Sequence, residues 1–486
     1  MFYEIREPVY GYVTFDDDDK KIIDTPQVQR LRRILQLAVA YVAYPGATHT
    51  RFEHSIGAMH LASMIGENLI EKGLDKDDAK KLRLAGLLHD LGHGPFSHSF
   101  EYAMQRKLGL DHETVTQALI TQTDIADKIK EMGYDPAEIA ETIRGRKRLL
   151  SDFVAGQVDV DKIDFLLRDS IHAGVDYGMF DWQRLIRSFY VNGDKALIGT
   201  NSLYSLESFL MARFQMFRAV YYHKTVRAAD LMLERAMYEF WEYVGLTSFD
   251  PQSYLDLDDY SAFSALGKAA SEKPESLGAR LFKGLLNRDL LKVAYEKPII
   301  GGREAIVHRP QDLEEEIASE AEVKQGEVFV DTPSLPIIPL SQSMRGEIEV
   351  WDEKTNQAVP LSSLSKISGS LTGYYEALRV YTFRENREKV NAAAKKILEN
   401  GFQMHYRKVK ANMGHRPHGL ATDARDSPTS TIPPLTLTMA PFLIVSNSSR
   451  NPWTKGIPAK TQPIMVTVSA SFRSMAAGAV PIFFMA

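Results

Sequence analysis

Cysteine is absent from this chain of 486 residues, so the chain can form neither disulfide bonds nor thiolate metal sites. It also lacks any apolar run near the roughly 20 residues that a membrane-spanning helix needs. Its first residues, MFYEIREPVYG, carry charge from the fourth position onward, unlike a secretory signal. These absences together predict a cytoplasmic protein that does not enter a membrane.

A large excess of one charge is missing as well, because the formal net charge is only −5. A nucleic-acid-binding protein usually carries a basic surface, so the overall charge does not indicate a nucleic-acid partner. Hydrophobic residues make up 44% of the chain and charged residues 25%, which are ordinary globular values. A chain of this length has room for two or three domains with an ample core.

What the chain does contain is a histidine-rich stretch, LAGLLHDLGHGPFSHSFE, at residues 84–101. Its apolar beginning has helical spacing and predicts a helix that ends at Leu88. His89 and Asp90 follow directly, and glycine and proline then break the chain before His98. A buried carboxylate needs a cation and a buried imidazole needs a fixed partner, and one divalent metal ion can serve both.

A lone His–Asp pair is more often a hydrogen-bonded pair in a core than a metal site. Here the pair is accompanied by His54 in RFEHS and by Asp161 in QVDVDKIDFLLRD. Two imidazoles and two carboxylates suit a catalytic divalent metal that keeps positions open for water or substrate. The sequence therefore predicts a metal centre of His54, His89, Asp90 and Asp161, with Mn²⁺, Fe²⁺ or Zn²⁺ as compatible ions.

The pattern along the chain predicts a mainly α protein with a smaller α+β accessory region. Residues 1–248 have mostly helical spacing and are expected to form a helical core. Residues 249–410 mix short helical segments with alternating segments typical of strands, and Tyr374 to Gln403 is predicted to be one amphipathic helix. At 411–486 charges become sparse while Pro, Ser and Thr dominate, which predicts a disordered or non-native tail.

Five segments of the chain together resemble one known family. RFEHS, HDLGHGPFSH, DVDKIDFLLRDS, IIDTPQVQRLRRILQL and YYHKT are similar to segments of the HD-domain deoxynucleoside triphosphate (dNTP) triphosphohydrolases, over roughly residues 5–245. The resemblance implies that residues 1–248 are an HD-domain core. It also implies hydrolysis of a dNTP to a deoxynucleoside and triphosphate, commonly by a homo-oligomer, for which we expect a dimer or a tetramer.

The resemblance assigns chemical roles within the histidine-rich stretch and just after it. His98 is expected to protonate the leaving 5′ oxygen, and Glu101 to orient His98. His93 and His112 are expected to lie beside the attacked phosphorus. The four predicted metal donors keep that role, and Mg²⁺ is compatible with the phosphates of the substrate.

The resemblance also implies a set of substrate contacts: base neighbours, a sugar-hydroxyl contact, a wall beside the sugar, and a cationic clamp on the triphosphate. In that order these are Gln36 and Leu37, Asp169, Tyr221, and Arg51 with Lys162 and Arg213. Where the family has a tyrosine near the substrate this chain has Phe165, which removes a hydroxyl contact.

The family further has a nucleotide effector site between subunits, which implies activation by GTP or dGTP. The effector-binding residues implied in this chain are Asp24, Gln29, Arg32, Asp181 and Arg184. The chain departs from the family near Tyr3, where a basic residue of the N-terminal strand is replaced. This departure concerns the identity of the effector more than the chemistry.

Other functions stay open at this point. Another HD phosphohydrolase would act on a nucleoside monophosphate, a cyclic nucleotide or a guanosine alarmone, and product analysis would distinguish it. A nucleotide sensor or nucleic-acid-binding module would keep the fold without turnover, although every predicted ligand and proton donor is present. A purely structural helical protein would leave the clustered charges unexplained.

Overall fold

The computed structural model describes residues 2–146, 148–300, 310–336, 347–370 and 374–399, and the predicted tail at 411–486 lies outside them. All of these described residues belong to one unit, Met1–His415. The prediction of a mainly α protein with a smaller α+β part is confirmed.

The helices are α1 (Asp17–Ile23), α2 (Pro26–Arg30), α3 (Arg51–Ile70), α4 (Lys76–Leu88), α5 (His98–Leu108), α6 (His112–Gln122), α7 (Asp124–Glu131), α8 (Pro136–Ile143), α9 (Arg148–Val154), α10 (Val160–Ala173), α11 (Trp182–Arg187), α12 (Leu203–Met216), α13 (Lys224–Glu239), α14 (Trp241–Val244), α15 (Pro251–Tyr254), α16 (Asp259–Glu272), α17 (Leu277–Leu286), α18 (Pro310–Glu320), α19 (Leu361–Leu364), α20 (Lys366–Ser370) and α21 (387–399).

The strands form one hairpin and two larger antiparallel or mixed sheets. They are β1 (Tyr3–Glu7), β2 (Gly11–Phe15), β3 (Phe189–Asn192), β4 (Lys195–Gly199), β5 (Lys292–Ile300), β6 (Val328–Asp331), β7 (Ser334–Pro336), β8 (Glu349–Asp352), β9 (Gln357–Pro360) and β10 (Tyr374–Thr382). The hairpin is β1–β2, with Tyr3 opposite Phe15. One sheet has the order β3-β4-β8-β9, and in the other β10 lies between β5 and β6 and also pairs with β7.

Helix α3 is a core helix that carries the first predicted metal ligand. At its start Glu53 accepts a hydrogen bond from the backbone N–H of Thr50 at 3.2 Å, as part of a capping box. Most of its residues between Phe52 and Leu69 are buried. The helix therefore holds His54, which is completely buried, in a fixed, water-poor environment.

Helices α3 and α4 approach so closely that a glycine is needed between them. A Cβ added at Gly86 would lie 2.9 Å from the carbonyl oxygen of Ala58 and 3.0 Å from the Cβ of Ala62. We expect Gly86→Ala to lower the free energy of unfolding in a urea titration by about 1–3 kcal/mol, the usual cost of overpacking.

Gly267→Ala is the matched control, because Gly267 lies inside α16 and its added Cβ would meet nothing closer than 3.8 Å. The higher helix propensity of alanine should leave stability unchanged or raise it by up to about 1 kcal/mol. A Gly86→Ala chain as stable as the control would show that α3 and α4 pack less closely than the structure indicates.

The predicted helix from Tyr374 to Gln403 was wrong in its first part. Tyr374–Thr382 form β10, and helix α21 begins only at residue 387. β10 is the middle strand of its sheet, and all of its side chains from Ala377 to Thr382 are buried. A strand buried on both faces has no polar alternation, so its sequence cannot be distinguished by periodicity from a buried helix.

Contacts cross the boundary predicted at residue 248. Strand β4 pairs in parallel with β8, where Ile198 lies opposite Val350. Arg227 of α13 donates to Asp331 of β6 at 2.9 Å. The division into regions 1–248 and 249–410 therefore stays a prediction.

None of the helices in the described ranges combines the length and apolarity that crossing a bilayer requires.

Candidate active site

Three helices bring the four predicted metal ligands together. His54 lies in α3, His89 and Asp90 follow the end of α4, and Asp161 lies in the first turn of α10. His54 Nε2 is 3.1 Å from His89 Nε2 and 3.2 Å from Asp161 Oδ1. Asp90 carboxylate oxygens lie 3.6 Å from His54 Nε2 and 3.4 Å from His89 Nε2. The donors therefore converge on one point.

These separations fit a shared divalent metal ion. Ligand atoms at about 2.0–2.2 Å from a metal lie roughly 3.0–3.6 Å from one another in octahedral or tetrahedral geometry. Donor atoms of His54, His89 and Asp161 all lie within 4.8 Å of one another and could hold an ion. Burial lowers the pKa of His54, but hydrogen bonds to Asp161 and Asp164 raise it to about 10. The carboxylates around His54 therefore favour a positive charge at this place, which either a proton on the ring or a bound cation supplies.

Both imidazoles are fixed by a partner on the far side of the ring. His54 Nδ1 is 2.8 Å from Asp164 Oδ2, and His89 Nδ1 is 2.9 Å from the carbonyl oxygen of Gly86. Because a carbonyl can only accept, His89 Nδ1 donates and its Nε2 keeps the lone pair that a metal needs. With a metal ion bound, His54 would adopt the same tautomer, because its Nδ1 donates to the carboxylate of Asp164.

A second group of imidazoles lies next to the donors. The rings of His93 and His112 stack with centroids 4.1 Å apart, and His93 Nε2 is 3.4 Å from Asp90 Oδ1. Glu101 contacts two imidazole rings of this group: His112 Nδ1 lies 2.6 Å from its carboxylate, and His98 Nδ1 lies 3.3 Å from it. The structure thus brings the four residues predicted for catalysis together, and Glu101 lies closer to His112 than to His98.

These groups differ in charge because of their surroundings. Burial, together with Arg51 and His112, holds the pKa of His93 well below its usual value. Burial also lowers the pKa of His112, but its bond to Glu101 brings the net pKa above the usual value. The pKa of Glu101 is lowered in turn, because the bonds from His112 and His98 outweigh burial.

The segment before His98 has an unusual backbone. Phe96 and Ser97 adopt φ angles of 55° and 51°, in the left-handed region that favours glycine. Two long-range contacts hold them there: Phe96 N–H donates to Asp259 Oδ1 at 2.7 Å, and Ser97 Oγ accepts from Arg51 Nε at 2.7 Å. Such conformations persist where the surroundings impose them, and they often occur at functional sites. Here they expose His98, whose side chain is 78% accessible.

A cavity of about 580 Å³ opens beside the metal donors and the imidazoles. Most residues predicted to bind substrate line this cavity, namely Gln36, Leu37, Arg51, Lys162, Asp169 and Tyr221. Arg213 is buried behind the lining, with its guanidinium 5.0 Å from the ring centre of Phe217, which does line it. Phe165, the departure from the family, also lines the cavity.

Two of the three cations predicted to hold phosphate bind carboxylates in this structure. Arg51 Nη1 donates to Asp90 Oδ2 at 2.5 Å, and Lys162 Nζ donates to Asp159 Oδ2 at 2.7 Å. A polyanion in the cavity would compete with these carboxylates for the same donors. The cations are therefore in place before any substrate binds.

Asp169 is held by two donors, one of which was not predicted. Tyr221 donates its hydroxyl to Asp169 Oδ2 at 2.7 Å, from a π-helical turn at Phe217–Tyr221. His49 Nε2 lies 2.7 Å from Asp169 Oδ1. The signal for His49 was its place in ATHTRFEH just before His54, but the partner is 120 residues away. The sequence places Asp164 one helical turn after Asp161 on the same side of α10, but it does not show that Asp164 contacts His54.

Two more acids that the sequence did not indicate, Asp230 and Glu234, line the cavity from α13. Burial raises the pKa of Asp230 to about 6 and that of Glu234 to about 7. An unfolded glutamate titrates near 4.3, so between about pH 4 and pH 7 Glu234 is ionised in the unfolded chain but still protonated in the folded one. The free energy of unfolding therefore falls as the pH rises through this window.

We expect Glu234→Gln to remove this loss, because glutamine does not ionise. Relative to the unaltered chain it should gain up to about 3 kcal/mol of unfolding free energy at pH 8 and little at pH 4. Urea titrations at both values measure the difference. The exposed Glu242→Gln is the control and should show the same effect at both pH values; a Glu234 variant that behaves like it would contradict the prediction.

The residues predicted for an effector form two groups. Gln29 donates to the carbonyl oxygen of Ile23 at 2.9 Å and accepts from Arg32 Nε at 2.9 Å, while Asp24 pairs with Lys20. The second group begins α11, where Asp181 accepts from the Arg184 N–H at 3.1 Å, and the Arg184 guanidinium donates to the carbonyl oxygen of Asn201 at 3.0 Å. Their role in effector binding stays a prediction.

Comparison with known proteins matches two family descriptions to this chain, an HD domain at residues 51–167 and an HD associated region at residues 180–406. An uncharacterised protein of Methanocaldococcus jannaschii is 37% identical over 289 residues, covering 58% of this chain and 59% of that protein. A Dictyostelium discoideum protein named deoxynucleoside triphosphate triphosphohydrolase SAMHD1 homolog is 31% identical over 334 residues, covering 65% and 64%.

A solved structure of a phosphohydrolase from Bacteroides thetaiotaomicron is also similar. It is 27% identical, with a TM-score of 0.64, and the match covers 79% of this chain and 100% of that one. The chain spans less than two thirds of the length of the two curated relatives above. All four predicted metal donors fall within the matched segment 51–167, and the chain thus contains an HD domain followed by an HD-associated region.

Proposed function

We propose that this chain is a metal-dependent phosphohydrolase that hydrolyses a dNTP to a deoxynucleoside and triphosphate. The observation that carries the proposal is the convergence of donor atoms from His54, His89, Asp90 and Asp161. All of these donors except the buried His54 line the same cavity as three further imidazoles. Support also comes from the Dictyostelium relative, whose name states that activity.

The residues of the chain divide the work between holding the substrate and moving a proton. Arg51 and Lys162 would exchange their carboxylate partners for phosphate oxygens and hold the triphosphate. Asp169 would accept a hydrogen bond from a sugar hydroxyl, with Tyr221 beside the ring. His98 is exposed to the cavity and would donate a proton to the leaving 5′ oxygen, while Glu101 fixes its ring.

His54, His89, Asp90 and Asp161 would hold the metal ion. When bound, a divalent ion supplies Lewis-acid polarisation of a phosphate oxygen. We propose Mn²⁺, Fe²⁺ or Zn²⁺ for this nitrogen–oxygen donor set, with Mg²⁺ on the substrate phosphates.

One assay tests the activity. Purified protein with added Mn²⁺ is incubated with each of the four dNTPs, and the products are separated by chromatography. We expect intact triphosphate and deoxynucleoside in equal amounts. Release of single phosphate, or turnover only of monophosphates, cyclic nucleotides or alarmones, would identify a different HD phosphohydrolase. Nucleotide binding without any product would indicate a sensor.

Activation and assembly form a separate proposal, supported by the resemblance at Asp24, Gln29, Arg32, Asp181 and Arg184. We propose that GTP or dGTP binds there and that the active form is a homo-oligomer, a dimer or a tetramer. Light scattering and initial rates with and without GTP or dGTP test both statements. An unchanged rate and a monomer under all conditions would reject them. The cytoplasmic location likewise stays a prediction.

A further inference from the structure

A chain of buried polar side chains connects the N-terminal hairpin with the metal ligand His54. Glu7 at the end of β1 accepts from Arg168 Nη1 at 2.9 Å. Arg168 also donates through Nε and Nη2 to the two oxygens of Asp164, both at 2.9 Å. Asp164 Oδ2 is in turn 2.8 Å from His54 Nδ1. Four side chains from three parts of the chain thus form one connected series.

The series is almost completely removed from water. Arg168, Asp164 and His54 side chains are 0% exposed, and that of Glu7 is 4% exposed. Both carboxylate oxygens of Asp164 accept from the Arg168 guanidinium, so Asp164 acts as an acceptor in the series. A buried ion pair that loses one partner leaves an uncompensated charge. Each member therefore depends on the others for its position.

A second hairpin residue contacts the same carboxylate. Tyr10 donates its hydroxyl to Asp164 Oδ1 at 2.8 Å. Glu7 also accepts from the backbone N–H groups of Val9 at 3.1 Å and of Tyr10, so it holds the turn that carries Tyr10. The hairpin thereby contacts both members of the Asp164–Arg168 pair.

Helix α3 is shaped to admit this pair. A Cβ added at Gly57 would lie 1.9 Å from Asp164 Oδ1 and 2.4 Å from Arg168 Nη2. Gly57 is one turn from His54, so the space it leaves lies beside the metal ligand. The pair occupies a position that only glycine allows.

We propose that the N-terminal hairpin sets the metal affinity of the site, through Glu7 and Tyr10, which hold the Arg168–Asp164 pair that fixes the His54 ring. This inference rests on the proposed metal centre. Partners of this kind keep a ligand's Nε2 lone pair directed at the metal and raise its basicity. Glu7, Tyr10, Arg168 and Asp164 are positioning residues that act on the metal through His54.

The test measures Mn²⁺ affinity of the full chain by calorimetric titration, independently of turnover. Asp164→Asn should weaken Mn²⁺ binding by roughly 10–100-fold, the usual effect of removing such a partner. Glu7→Gln and Tyr10→Phe should weaken it in the same direction by about threefold or more. In the Asp164→Asn background, Glu7→Gln should add no further loss, because its effect passes through Asp164.

Asp19→Asn is the matched control. Asp19 is a buried acid of the same N-terminal region, with ion pairs to Arg83 and Lys80, and it has no contact with the series. We expect it to lower the melting temperature and leave Mn²⁺ affinity unchanged. If Glu7→Gln and Tyr10→Phe both lower the melting temperature but keep full affinity, the hairpin only stabilises the fold and the inference is wrong.

Two other outcomes are distinguishable from that one. If the unaltered chain binds no Mn²⁺, the proposed metal centre fails, and the inference with it. If Glu7→Gln does not fold, Tyr10→Phe decides alone, because it removes one hydroxyl and retains the ring. Unchanged affinity in this variant overturns the proposal.

Discussion

A chain carrying both His89→Ala and Asp90→Ala is expected to lose bound metal and to lower kcat/KM by more than about 10³-fold while it stays folded. The two substitutions remove half of a donor set in which His54 Nε2 lies 3.1 Å from His89 and 3.6 Å from Asp90. Two donors, His54 and Asp161, cannot complete the coordination of a divalent ion. Elemental analysis after gel filtration, circular dichroism and the dNTP assay measure the three quantities.

The control is His223→Ala, which removes an imidazole that caps α13 outside the donor set. It should keep the metal content of the unaltered chain. The double variant has a further consequence, because Arg51 donates to Asp90 and would lose that partner. A double variant that retains full metal content would reject the assignment of the site.

The second large effect is expected for His98→Ala, with a loss of roughly 10²–10⁴-fold in kcat and an unchanged metal content. His98 belongs to α5, beyond the glycine–proline break, and in the structure it contacts Glu101 at 3.3 Å rather than the metal donors. Donating a proton to the leaving oxygen matters for turnover and little for holding the triphosphate, so KM should change less than kcat. Loss of metal, or turnover at the normal rate, would exclude this role, and His93 or His112 would be tested next.

The contacts of Glu101 determine how Glu101→Gln should affect turnover. Glu101 holds His112 at 2.6 Å as well as His98, so its loss disturbs two imidazoles. If Glu101 acts only through His98, the double variant His98→Ala/Glu101→Gln should be no slower than His98→Ala. An additional loss in the double variant would show that Glu101 also acts through His112. The measurement is a double-mutant cycle, in which steady-state rates are compared for the unaltered chain, the two single variants and the double variant.

The sequence by itself determined the chemical types of the site and much of the local structure. His89 and Asp90 at the end of an apolar helix, with His54 and Asp161 elsewhere, were enough to predict a metal donor set. The glycine–proline break before α5 was also predicted, because chain breaking depends on adjacent residues. Each of these features depends on residues that are close together in the chain, so the sequence pattern is enough to predict it.

Only the tertiary structure decided which distant groups meet. The bond between Arg168 and Glu7 spans 161 residues, and that between His49 and Asp169 spans 120. Asp230 and Glu234 lie on an amphipathic helix, and no pattern in the sequence shows that they face the cavity. Strand β10 was mistaken for a helix because the burial of Ala377 to Thr382 removed the alternation that marks strands. Periodicity records which face of an element is apolar, whereas the packing of one element against another decides which buried charge meets which partner.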